Sequence, residues 1–100
     1  MVAVLSRNLI PIRLTDERWE HIIAQHTEMA QYRTEILDTI QNPHAILAGN
    51  DGELMAISET EIGKWLIVVY REFENDGFII TSFFTRRKSS LEKRKVIWSQ

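Results

Sequence analysis

The stretch "KWLIVVYREFENDGFIITSFFTRR", residues 64–87, constrains this chain more than any other. Two long runs of β-branched and aromatic residues, which fit a pleated surface, flank Asn75, Asp76 and Gly77, residues that favour tight turns. The stretch predicts an antiparallel hairpin at the centre of a sheet. Two registers are open. A three-residue loop with Gly77 in the left-handed conformation sets Arg71 opposite Thr81 and Ile67 opposite Thr85, so that Arg71, Thr81 and Thr85 share one face. A two-residue Asp76-Gly77 turn sets Arg71 opposite Ser82 instead. Either way, alternation sends Tyr70 to the other face.

Around this hairpin the signals change twice. "VAVL" and "LIPIRL" are short extended segments, and Pro11, which lacks an N–H, argues for an edge position. Thr15 or Asp16 then suits an N-cap, followed by Trp19, Ile22, Ile23 and His26 at helical spacing. A second helix fits Tyr32, Ile36, Leu37 and Ile40, and "QNPH" stops it, because the residue before a proline is pushed out of helical geometry. "AILAGNDGELMAIS" reads as strand, turn, strand, "SSLEKRK" as one helical turn and "KVIW" as a last strand. The expected fold class is α+β: a short N-terminal β segment, two helices, then an antiparallel β meander of three to five strands with the helices on one face. One hundred residues without a linker or repeat make one domain, 1–100.

Charge is unevenly placed. Residues 1–80 hold six Lys/Arg against thirteen Asp/Glu, whereas residues 81–100 hold six Lys/Arg against Glu92 alone. Phosphate neutralisation demands positive charge, so a generic nucleic-acid binder is excluded, while Arg86, Arg87, Lys88, Lys93, Arg94 and Lys95 can still hold one phosphate-rich ligand. The alternative is a non-catalytic interaction module whose basic end takes an acidic protein or nucleic acid. Cysteine is absent, which removes disulfides, thiol nucleophiles and cysteine zinc sites. No membrane span or secretion signal is read, so no membrane partner and a cytoplasmic location are expected.

"DERWEHIIAQH" carries two of the three histidines. On a regular helix His21 and His26 are about 160 degrees apart, so they cannot share one phosphate unless the helix ends before His26 and frees it. His26 lies on the side of Trp19 and Ile22, at the helix end where the dipole favours a protonated ring. Five-residue spacing is wrong for two zinc ligands on one helix face, so no metal or cofactor is expected. His44, after Pro43, is read as structural. Trp19, Phe73, Phe78, Phe83 and Phe84 are assigned to the core.

The succession "RLTDERWEHIIAQHTEM", "YRTEILDTIQNPHAI", "GELMAI", "WLIVVYRE", "GFIITSFFTRR" and "KVIW" resembles the phage-type branch of the barnase, EndoU, colicin E5/D and RelE-like nuclease group. The resemblance implies a small sheet-plus-helices ribonuclease that cleaves RNA without metal. It further implies a toxin of an intracellular toxin-antitoxin pair or phage-related element, with tRNA or mRNA as substrate and a cognate antitoxin or inhibitor protein as partner. Such cleavage needs a base for the 2'-hydroxyl proton, an acid for the departing 5'-oxygen and cations around the phosphorane. His26 and His21 fit the proton transfers. Arg71, Thr81 and Thr85 fit the phosphate, with Arg86 and its basic neighbours as RNA contacts. The chain has threonine after His26, where the pattern places proline, and no tyrosine after Tyr70, which sets it apart from the RelE-like branch.

Overall fold

The computed structural model describes residues 1–100. Strands β1 (Val2–Leu5) and β2 (Pro11–Leu14) lead into helix α1 (Asp16–Gln25), a 3-10 turn (Thr27–Gln31) and helix α2 (Arg33–Gln41). Strands β3 (Ala45–Ala48), β4 (Leu54–Glu61), β5 (Lys64–Glu72) and β6 (Gly77–Thr85) follow, then the short helix α3 (Lys88–Glu92) and β7 (Val96–Ser99). The α+β class is as the sequence predicts, but the sheet is larger and mixed. Seven strands lie in the order β1-β2-β6-β5-β4-β3-β7, with β5 in the middle and a parallel pairing of β2 with β6.

Local chemistry accounts for the ends of the elements. Thr15 caps α1 by accepting the Arg18 N–H at 3.1 Å, and Asp16 and Glu17 occupy the first turn, where negative charge meets the helix dipole. The helix stops at Gln25. His26 leaves helical geometry with φ −133° and ψ 77°, its N–H still donating to the Ile22 carbonyl at 2.8 Å. Pro11 does not mark an edge strand, since β2 lies between β1 and β6. It is instead the first residue of the strand, and pairing with β6 begins only at Ile12, so its missing N–H interrupts no ladder there.

The sheet has two unlike faces. On one, α1 and α2 cover a core of Ile12, Leu14, Ile22, Met29, Ile36, Ile40, Ala56, Leu66, Val68, Tyr70 and Ile79. Burial of Tyr70, with the Glu72 carboxylate nearby, pushes the phenol well above its ordinary value of 10.0. Because the folded value is the higher one, folding is favoured fully below pH 10 and loses that contribution as pH rises further. Tyrosinate absorbance from Tyr70 is therefore expected only as the protein unfolds in alkali. Its appearance near pH 10 with the circular dichroism intact would contradict the burial.

The opposite face is only partly covered. Alternation along β5 places Trp65, Ile67, Val69 and Arg71 there, and α3 lays Leu91 over Ala45, Leu47, Ile57 and Trp65. The two helices expected from the sequence share one face, while α3, carrying one buried apolar residue, closes one end of the second face.

The β1–β2 connection holds a non-glycine residue in the left-handed region, Leu9 at φ 64°, with its side chain 74% exposed. A Cβ in that conformation costs about 1–2 kcal/mol, and the exposed side chain recovers little. Leu9→Gly is expected to raise unfolding free energy by about 1 kcal/mol, net of the flexibility glycine adds to the unfolded chain. A urea titration showing no gain would mean that Leu9 makes compensating contacts.

Candidate active site

The β5–β6 hairpin departs from both registers read in the sequence. Phe73 N–H donates to the Asp76 carbonyl at 2.7 Å, so Phe73–Asp76 is the loop and Glu72 pairs with Gly77. Arg71 lies opposite Phe78 rather than Thr81, and Ile67 opposite Phe83 rather than Thr85. Thr81 faces Val69, Thr85 faces Trp65, and Ile80 is an unpaired bulge residue between Thr81 and Ile79. Thr81 and Thr85 are displaced by two residues from the places expected of them. An even displacement leaves side chains on their face, so Arg71, Thr81 and Thr85 still share the partly open one.

Gly77 also differs from expectation. The glycines at positive φ are Gly52 and Gly63, and Gly77 serves for space. A Cβ there would overlap the Arg71 carbonyl oxygen and approach Ile12 Cδ1 to 2.6 Å. The turn is therefore pressed against β2 where the parallel pairing starts.

His26 comes to this face around the side of β6. Beyond Phe78, β6 has no strand partner on its β2 side, and α1 packs against β6. The His26 ring lies 5.9 Å from the Phe83 ring at a 34° tilt, and His26 Nδ1 is 3.9 Å from Glu28 Oε1. Phe83, assigned to the core from sequence, is a half-buried seat for the imidazole, flanked along β6 by Thr81 and Thr85. His21 is not brought here. It is exposed on α1, which turns Ile22 inward.

The remaining candidates divide by what they are bonded to. Thr85 Oγ1 accepts the Arg87 N–H at 3.1 Å, which commits it to the β6–α3 connection. Thr85 also lies opposite Trp65, six residues from Arg71 along β5, or about 20 Å, too far to share one phosphate with it. Thr81 Oγ1 is enclosed and without a hydrogen-bond partner, so engaging a ligand takes a rotamer change. Arg71 forms no ion pair within 4.0 Å, and its Nη1 is 3.4 Å from where a Cβ on Gly52 would stand. Glu53 lies near it, but its Oε1 accepts the Asp51 N–H at 2.7 Å. That bond, helped by Arg71 and Arg94, holds the Glu53 carboxyl below its usual range.

Among the basic residues of the C-terminal segment, Arg86, Arg87, Lys88, Lys93 and Lys95 are exposed. Arg94 is a strut: its Nη1 donates to the Ala48 carbonyl at 3.2 Å and to Asn50 Oδ1 at 3.1 Å. Of the aromatics assigned to the core, Phe73 is corrected by the structure. It is 56% exposed because it belongs to the hairpin loop and not to the strand. No three His, Cys, Asp or Glu side chains gather as a metal site, and no helix is long and apolar enough to cross a membrane.

Sequence patterns could not have found the Phe83 seat. Glu28, two residues after His26, was visible as a charged neighbour, but whether it reached the ring depended on the helix ending at Gln25. Compared with known proteins, the chain matches no family model, no curated protein and no solved structure.

Proposed function

We propose that the protein is a metal-independent endoribonuclease that cleaves RNA on the open face of the β5–β6 hairpin. The observation that carries the reading is the position of His26, released from α1 and set on Phe83 on the sheet face that Arg71 and Thr81 share. A titratable imidazole, an arginine outside any ion pair and a hydroxyl without a partner are the groups that phosphodiester transfer calls for.

In this reading His26 takes the proton of the 2'-hydroxyl as the 2'-oxygen attacks phosphorus. Arg71, about 13 Å along β5 from the Phe83–Ile67 pair, grips a neighbouring phosphate of the same strand through its forked donors, leaving the Thr81 hydroxyl, two residues from Phe83 on the same face, to meet the phosphorane. The P–O5' bond then breaks, leaving a 2',3'-cyclic phosphate, and the departing oxygen takes a proton from water. Exposed Arg86, Arg87, Lys88, Lys93 and Lys95 supply positive potential toward the RNA backbone, against an otherwise acidic body. As a toxin of an intracellular toxin-antitoxin pair or phage-related element, the chain would meet an acidic inhibitor at that same segment.

The test is incubation of the purified protein with total cellular RNA in excess chelator. Cleavage that yields 2',3'-cyclic ends is the expected result. Intact RNA, with tRNA and ribosome-bound mRNA both untouched, would leave the interaction module as the better reading.

A further inference from the structure

At the turn of the β5–β6 hairpin, Phe73 is 56% exposed, although an apolar residue gains nothing from that position. Its ring lies 6.1 Å from Phe78 at a 37° tilt, and Phe78 is directly across the ladder from Arg71. Arg13, the β2 neighbour of Phe78, is neutralised by Asp76, with its Nη2 at 3.0 and 3.1 Å from the two carboxylate oxygens. Arg71, across the ladder from Phe78, is the cation here without an ion pair within 4.0 Å, and its guanidinium reaches over β5 toward the β3–β4 turn, where Nη1 stands 3.4 Å from the place of a Cβ on Gly52. Aromatic surface next to such an arginine is the pairing that holds one nucleotide, with the ring taking the base and the guanidinium the phosphate.

We propose that Phe73 and Phe78 form a stacking seat for one base of single-stranded RNA, with the adjoining phosphate on Arg71. The assignment rests on the ribonuclease reading and specifies its substrate. From the Phe78–Arg71 pair to the Phe83–Ile67 pair is four residues of β5, about 13 Å, so the seat holds RNA beside the cleaved bond and not at it. Bases in a duplex offer edges and not faces, because each face is already stacked. Phe73 consequently selects unpaired nucleotides.

The test is equilibrium binding of a short 2'-O-methyl oligoribonucleotide, which lacks the attacking hydroxyl and cannot be cleaved, as a single strand and as a duplex. Wild type is expected to bind the single strand more tightly. Phe73→Ala should weaken single-strand binding about 5- to 150-fold while leaving the salt dependence and the duplex affinity unchanged. Phe73→Trp, which keeps a stacking face, should restore it. Arg71→Gln should lower the slope of log affinity against log salt by about 0.7, the value for one single-strand phosphate. If wild type cleaves RNA but Phe73→Ala binds the single strand as wild type does, or loses both strands equally, the stacking seat is wrong and the nuclease reading stands. A wild type that neither cleaves RNA nor binds the oligonucleotide would overturn both.

Discussion

His26→Ala is expected to lower RNA cleavage by roughly 10²- to 10⁴-fold, the usual contribution of one positioned acid or base. The fold should survive, because the imidazole is partly exposed and its contacts are limited to the Phe83 ring and a long approach to Glu28. On the proposed mechanism the loss should fall on kcat, since the proton His26 would take moves only in the transition state. Equal cleavage by wild type and His26→Ala would remove His26 from the mechanism. A loss confined to His21→Ala would place the chemistry on the outer side of α1.

Gly77→Ala should be the most damaging substitution of a single small residue, costing roughly 2–4 kcal/mol of unfolding free energy. The added methyl meets the Arg71 carbonyl oxygen and Ile12 Cδ1 at 2.6 Å. Neither can yield cheaply. The carbonyl belongs to the backbone of the central strand, and Ile12 is fully buried in the core. The parallel pairing of β2 with β6 rests on Ile12 with Gly77 and Arg13 with Phe78, so forcing this joint apart also loosens the β1–β2 pair beyond it. Urea unfolding should show a lower midpoint with an unchanged m-value. A midpoint equal to that of wild type would mean that the joint opens without cost and that the two-strand N-terminal unit contributes little to stability.

Both effects depend on arrangements that are non-local in the chain. Glu72 shows the same dependence: on a strand it is, from the sequence alone, a solvated or salt-bridged carboxylate. In the fold it accepts hydrogen bonds from Ser6 Oγ and, at 2.7 Å, Asn8 Nδ2, pinning the β1–β2 connection across more than sixty residues. Arg7, on the same connection, reaches a cation–π distance of 4.4 Å from Trp98 on β7, the far strand of the sheet order. A local pattern carries no information about such pairs, because the residues meet only after the sheet has curved and the helices have packed.

What the sequence by itself determined is the kind of each element and the central hairpin. Those follow from side-chain periodicity, from turn residues and from capping by Thr15, all of which act over a few residues. The shared face of Arg71, Thr81 and Thr85 was one of two registers the sequence left open, and the bulge at Ile80, which restores the alternation beyond Ile79, decided it. The tertiary structure alone decided that β2 joins β6 in parallel, that Gly77 serves for space and not for φ, and that His26, not His21, stands over the open face. The physical reason is common to all three. Strand β6 pairs with β2 only at Gly77 and Phe78, a joint no run of neighbouring residues specifies, and His26 meets Phe83 only once α1 has packed against that strand.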